Sequence, residues 1–177
     1  MIGYDTEHRL TIYYIVVTGS SSGFGLEVAK YVLQRGDIVV ATLRKPEMIS
    51  ALTEKYGADR LLPLKLDVTQ PEDILSAFTK AKETFGHIDV VFNNAGVPIV
   101  GEIEATSIAS AREHFEINFW GAVNVTREAV RFFREENEPG RGGRLIQNSS
   151  KHGMATHPLL GFYAAGKQGM QKRTDDG

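Results

Sequence analysis

Tyr163 and Lys167 stand four residues apart in Tyr163-Ala164-Ala165-Gly166-Lys167, a pairing that could move a proton. On a helix, positions i and i+4 share a face. A phenol, with an ordinary pKa of about 10, is a poor base at neutrality, but an adjacent ammonium favours the phenolate. Upstream lie Ser149 and Ser150, either of which supplies a hydroxyl able to donate to an oxygen on which charge develops. Reducing a carbonyl needs hydride at carbon and a proton at oxygen, and alcohol oxidation runs the same steps backwards. A plainer reading stands beside this one: Tyr-x-x-x-Lys occurs on many surface helices, and a serine pair suits a helix cap.

A second group of residues could hold a phosphate. The run Thr18-Gly19-Ser20-Ser21-Ser22-Gly23-Phe24-Gly25-Leu26 follows an apolar stretch and leads into a helical pattern. Its glycines permit a tight turn and close backbone approach, and the free N–H groups at a helix N-terminus attract a pyrophosphate. No Lys-Ser or Lys-Thr follows the last glycine, which excludes a Walker A loop. After the next apolar stretch comes Arg44. An acid near that place would bond the ribose 2′-hydroxyl of NAD, whereas an arginine pairs with the 2′-phosphate of NADP, so Arg44 points to NADP(H) rather than NAD(H). Arg44 and Lys45 also suit a solvated loop.

These residues need a scaffold. Short β-branched or apolar runs, Thr11–Thr18, Asp37–Leu43, Leu61–Leu66, Ile88–Phe92 and Arg144–Gln147, read as strands. Helical periodicity fills the gaps at Phe24–Gln34, Pro46–Tyr56, Pro71–Phe85 and a long stretch from Ser107 to Glu135, with another helix starting near Tyr163. In the third helix Pro71 occupies a tolerated first-turn position, and Ile74, Leu75, Phe78, Ala81 and Phe85 form the expected core face. Such alternation builds an α/β fold, a doubly wound parallel sheet in a three-layer α/β/α arrangement. The loop from Asn137 to Gly143 is a turn within one domain spanning 1–177.

Composition narrows the function. The 177 residues carry 20 Lys+Arg against 22 Asp+Glu, and a net charge of −2 favours neither nucleic acid nor an anionic membrane as partner. With no cysteine, disulfides, thiolate catalysis and cysteine zinc sites are excluded. The apolar run Ile12–Val17 is far short of the roughly 20 residues of a membrane span. Residues 1–10 form an N-terminal extension lacking the pattern of a signal peptide, so a cytoplasmic location is expected. His152 and His157 flank Gly153 in a segment ending at Pro158, which makes them loop residues near the substrate rather than paired metal ligands; no metal is expected. His87 reads as a helix-end or surface residue, and Trp120 as core or interface.

The glycine turn Thr18–Gly25, Asn93-Asn94-Ala95-Gly96, Asn118, Ser150 and Tyr163-x-x-x-Lys167 occur in an order and spacing that resemble the short-chain dehydrogenase/reductase family. The resemblance runs from Thr11 to about Met170 and implies a Rossmann-type sheet. It further implies an oxidoreductase transferring hydride between NADP(H) and a small alcohol or carbonyl substrate. Tyr163 is then the acid/base, Lys167 its partner and Ser150, by its spacing to Tyr163, the polariser; Asn118 would hold a water joining Lys167 to solvent. Gly19, Ser21, Ser22, Gly23, Phe24 and Gly25 would hold the phosphates, Asp67 and Val68 the adenine, and Asn94, Ala95 and Gly96 the adenosine ribose; Tyr163 and Lys167 would contact the cofactor as well. Pairing into a homo-oligomer through the long helix and the helix starting at Tyr163 also follows from the resemblance.

Two departures qualify these expectations. Only Gln168 to Gly177 follow Lys167, with a polar tail at 171–177, where the family continues into further strands and a segment over the substrate. The expectation is a C-terminally truncated chain lacking the family's last strands, with a wet reacting centre, low or absent turnover and a fifth strand left as a self-associating edge. Its alternatives are a catalytically impaired dinucleotide-binding fragment and a chain without a stable fold. Gly166 replaces the usual serine before the lysine and, with a propensity about 1 kcal/mol below alanine, is expected to fray the helix.

Overall fold

Val16 and Val17 are sequence neighbours that face opposite sides of one sheet, as the two-residue period of a strand requires. The structure, a computed structural model, describes residues 11–171. Its strands are β1 (Tyr14–Thr18), β2 (Ile38–Leu43), β3 (Leu61–Lys65), β4 (Val90–Asn93) and β5 (Arg144–Gln147), all parallel, in the order β3-β2-β1-β4-β5. The helices are α1 (Gly23–Gln34), α2 (Ser50–Tyr56), α3 (Pro71–Phe85), α4 (Ile108–Phe115), α5 (Ala122–Glu135) and α6 (Gly161–Gln171).

Each sheet face has its own apolar layer. Val16, Val40 and Val91 pack with Ile74, Phe78 and Ala81 of α3 and Val125, Ala129 and Phe132 of α5. Phe78 meets Phe132 edge-on, with ring centroids 5.8 Å apart. On the other face Val17, Val39 and Ala41 pack with Ala29, Val32 and Leu33 of α1 and with Ile49. Strands covered on both faces read as near-continuous apolar runs, as β2 does: all six of its residues are buried. The expected α/β doubly wound, three-layer sheet is the fold observed.

The chain reverses its direction of winding between β1 and β4, which are neighbours in space. In open parallel sheets the crevice at such a switch point, beyond the carboxyl ends of the strands, is where ligands bind. The opposite end of the sheet is closed by side chains. Tyr13 N–H donates to Asp37 Oδ1 at 2.9 Å and Tyr14 N–H to Asp89 Oδ2 at 3.0 Å. The Asn137 carboxamide accepts from Ile88 N–H and donates to the carbonyls of Ile88 and Gly142, which secures the turn ahead of β5.

Several expectations need correction. β1 begins at Tyr14 rather than Thr11, β2 at Ile38, and β4 runs Val90–Asn93 rather than Ile88–Phe92. β3 ends at Lys65, one residue short of Leu66, and Pro46–Ile49 is a 3-10 turn ahead of α2. The long helix is not uniform: a π-helical stretch, Glu116–Gly121, joins α4 to α5. On α3 it is Ala77, not Leu75, that completes the core face; Leu75 is 51% exposed. Trp120 is half exposed, which removes it from the core. Despite Gly166, α6 is continuous through Gln171. β5 forms a sheet edge among the described residues, with Ile146 half exposed. The N-terminal extension at 1–10 and the tail from 172 lie outside the described residues.

Candidate active site

The glycine turn sits where β1 ends at the switch point. Gly19 has φ +69° and Gly23 +56°, left-handed conformations that favour glycine. Gly25 answers a different demand, close approach: a Cβ there would lie 2.4 Å from Gly19 O and 2.6 Å from Asn94 Nδ2. Ser20 is buried and turned inward, its Oγ donating to Val17 O at 2.7 Å. Ser22 precedes α1 but caps it with no side-chain bond, and the first turn carries no acid. Its N–H groups and the helix dipole are therefore placed for an anion, with Ser21, Ser22 and Phe24 at the surface side of the turn.

A hydrogen-bonded bridge ties this turn to β4. Thr18 Oγ1, fully buried, accepts from the backbone N–H groups of Asn94 and Ala95, both at 2.9 Å. Asn94 Nδ2 donates to Thr18 O at 2.8 Å, while Asn94 Oδ1 accepts from Asn148 Nδ2 at 2.8 Å. The ends of β1, β4 and β5 thus share one polar network. Asn93 points the other way and donates to Ala122 O, Thr126 Oγ1 and Gln147 Oε1.

Beyond this bridge the residues expected to react come together. Lys167 is buried, and its Nζ donates to Asn148 O at 3.0 Å and lies 6.0 Å from the Tyr163 ring centre. Burial pushes the Lys167 ammonium below the ordinary lysine value, so it releases a proton more readily than a surface lysine. Asn118 lies in the π-helical stretch, a feature frequent at functional sites. Its Oδ1 accepts from Val97 N–H at 3.0 Å and its Nδ2 donates to Val97 O at 2.8 Å. Gly96 crosses above both residues: a Cβ on it would lie 2.6 Å from Asn118 Oδ1 and 3.7 Å from Lys167 Nζ. Ser150 caps the 3-10 turn Lys151–Gly153, its Oγ accepting from His152 N–H at 3.2 Å.

Tyr163 is flanked by two imidazoles, His114 and His152, each with its ring centroid 5.9 Å away. His152 also meets His157 at 5.1 Å, so the loop brings together two histidines expected to lie near the substrate. Among the described residues no group of three or more His, Cys, Asp or Glu could hold a metal.

The adenosine end is more open. Arg44 is exposed at the end of β2 and acts electrostatically on Asp67. Burial raises the Asp67 pKa, but the hydrogen bonds from Thr69 and the Arg44 and Lys65 cations outweigh it and hold the carboxyl below the ordinary aspartate value. Val68 is buried, and a Cβ on Gly121 of the π-helical stretch would lie 2.6 Å from its Cγ2. Its side chain therefore belongs to packing between β3 and the long helix. Sequence reasoning named Thr18 only as the opening of the glycine turn and missed Asn148 and His114. Position at a strand end was the only signal for Asn148, and a lone helical histidine gives none.

The short chain dehydrogenase family model matches residues 13–176. An uncharacterised oxidoreductase of Schizosaccharomyces pombe is 40% identical over 159 residues, covering 90% of this chain and 52% of the relative. The NADPH-dependent 1-acyldihydroxyacetone phosphate reductase of Saccharomyces cerevisiae is 32% identical over 154 residues, covering 86% of this chain and 50% of that protein. A short-chain dehydrogenase from Streptomyces avermitilis superposes with a TM-score of 0.85 at 31% identity, covering 93% of this chain and 59% of that one. The chain spans about half the length of the curated relatives it matches.

Proposed function

This chain belongs to the short-chain dehydrogenase family, and from that premise we propose that it serves an NADP(H)-dependent reduction of a small carbonyl, or the reverse oxidation, with Tyr163 as acid/base. The observation carrying the proposal is that Tyr163, Lys167, Asn118 and Gly96 converge beside the β1/β4 switch point, next to an uncapped helix N-terminus. The cradle fits a dinucleotide: the close approach of Gly25 to Gly19 leaves no room for a side chain, and Arg44 beside Asp67 supplies a cation at the adenosine end.

Nicotinamide, when bound, supplies or accepts the hydride. The protein's residues do the rest. Gly19, Ser21, Ser22, Gly23, Phe24 and Gly25 hold the phosphates, and Arg44 the 2′-phosphate. Asp67 and the Val68 main chain border the adenine; Asn94, Ala95 and Gly96 border the adenosine ribose. Ser150 donates to the substrate oxygen while Tyr163 gives or takes its proton. Lys167, fixed on Asn148 O, favours the Tyr163 phenolate, and Asn118 keeps the proton route to solvent. The NADPH-dependent yeast relative supports the choice of NADP(H) over NAD(H). A cytoplasmic site of action fits a sequence without cysteine, since disulfides are rare in that compartment; no described helix is long and apolar enough to cross a membrane. A second copy would pair through the long helix, a reading that half-exposed Trp120 supports.

Calorimetric titration with NADPH and NADH tests this reading. Tighter NADPH binding that Arg44→Ala weakens supports it; equal affinities, or an unaffected variant, count against NADP(H). Binding of either cofactor without turnover on a broad carbonyl panel would favour a dinucleotide-binding module instead.

A further inference from the structure

His114 is a buried titratable group, 3% exposed, for which the chemistry above has no use. It lies four residues before Asn118 and contacts the Asn118 amide nitrogen through Nδ1 at 2.8 Å and Nε2 at 3.2 Å. Which end of the Asn118 side chain is the amide is decided by the backbone. Val97 N–H can only donate and Val97 C=O can only accept, so Oδ1 faces the former and Nδ2 the latter. The group turned toward His114 is therefore a donor, and the imidazole must present a lone pair. An imidazolium, protonated at both nitrogens, has none.

We propose that His114 is a positioning residue for the reaction: its neutral ring accepts a hydrogen bond from Asn118 and thereby holds the Asn118 clamp on Val97. That clamp fixes the segment passing over Lys167, because Gly96 sits against Asn118 Oδ1 with Lys167 Nζ just beyond. Gly166 completes the seat: a Cβ on it would lie 3.8 Å from His114 Nε2 and 3.9 Å from Asn118 Cβ, so α6 packs directly against this pair. The proposal rests on the catalytic reading of Tyr163 and Lys167 given above, but the state of the His114 ring can be measured without it.

The groups facing His114 keep it uncharged. From α6 come Lys167 and the Tyr163 ring, from α4 itself the Phe115 ring, and from the π-helical stretch the Asn118 amide. Burial, and then the Lys167 cation, lower its pKa below the ordinary histidine value. Acidification would place a second cation beside Lys167 and turn an acceptor toward Asn118 into a donor. The clamp then loosens.

Three measurements on the 177-residue chain test this. ¹⁵N NMR of the histidine rings should show His114 neutral at pH 7, with Nδ1 unprotonated and a titration below the ordinary value of about 6.5; a ring charged at pH 7, or one titrating at or above that value, overturns the proposal. Hydrogen exchange of the Val97 amide should quicken in His114→Leu and remain close to wild type in His114→Gln, whose side-chain oxygen can accept from Asn118; equal protection in all three overturns it. Where turnover is measurable, His114→Leu should lower kcat roughly three- to tenfold, the worth of one hydrogen bond, with KM for NADPH unchanged. His114→Gln should recover most of that loss and remove the acid limb of the kcat profile that His114 contributes. A His114→Gln profile identical to wild type overturns the proposal. A protein that neither binds dinucleotide nor turns over, yet shows the neutral ring and the Val97 effect, would refute the catalytic reading while leaving the clamp in place.

Discussion

Replacing Thr18 by valine is the substitution whose cost can be worked most directly from the structure. The side chain is fully buried and its shape is nearly kept, so no cavity term enters. What is lost is one oxygen that accepts two backbone N–H groups, those of Asn94 and Ala95, each at 2.9 Å. A buried donor left without a partner costs about 1–3 kcal/mol, and because Asn94 and Ala95 are part-buried the lower end applies, about 2 kcal/mol for the two together. Domains are stable by only about 5–15 kcal/mol, and the loss is therefore a large fraction of the total. For a chain of this size each kcal/mol moves the melting midpoint by about 2–4 °C, so Thr18→Val should lower it by at least about 4 °C. Urea denaturation should show a lower midpoint with an unchanged slope. Thr84→Val is the control, because Thr84 lies exposed and only donates to Lys80 O within its own helix. It should fall within about 0.5 kcal/mol of wild type. Equal stability of the two variants would refute the reasoning, since it would mean that the bridge between β1 and β4 carries no net free energy.

The remaining expectations concern the same end of the sheet and its surroundings. Gly25→Ala places a Cβ against the Gly19 backbone and should cost about 1–3 kcal/mol while opening the phosphate turn. NADPH affinity measured by calorimetry should drop with it, and an unchanged affinity would exclude this turn from the binding site. Asn137→Ala removes a carboxamide bonded to Ile88 at both ends and should destabilise by about 1–3 kcal/mol in urea; a neutral result would mean that water replaces it without cost. Asp67 has a folded pKa below its unfolded one, so its contribution is complete above the unfolded value of about 3.9 and is lost as pH falls through the folded value. Asp67→Asn should therefore be less stable than wild type at neutral pH, with the gap closing in acid. A gap that widens on acidification would reverse the assigned sign.

The sheet was legible because its signals are strong and local. β2 is a β-branched run buried on both faces, and the glycine turn announces the β1 to α1 junction. The early start assigned to β1 arose because Thr11 and Ile12 continue the apolar pattern, whereas Asp37 and Asp89 take up the Tyr13 and Tyr14 N–H groups at the strand's entry. Such long-range caps leave no trace in a local window. The π-helical stretch at Glu116–Gly121 was equally invisible, since its side-chain pattern continues that of the flanking helices. On α3 the choice of Leu75 over Ala77 followed hydrophobicity, but the face that buries Ile74, Phe78 and Ala81 includes Ala77 and leaves Leu75 exposed. At the site, Tyr163, Lys167, Asn118 and Gly96 were each named from motif and order, and the fold brings them together. The scaffold beneath them was not legible. Thr18 and Asn148 act through partners 54 to 77 positions away, which only the folded chain reveals; His114 and Asn118 are one helical turn apart, but nothing local sets that pair off from any other i, i+4 neighbours.

The central claim is that Tyr163 exchanges the proton while the glycine turn holds the dinucleotide, and turnover and NADPH binding measured together in Tyr163→Phe test it most directly. The phenylalanine keeps the ring between His114 and His152 and removes only the hydroxyl. Carbonyl reduction should fall by about 10²–10⁴-fold, the usual worth of a positioned acid/base, while NADPH still binds. Wild-type turnover in Tyr163→Phe would contradict the account.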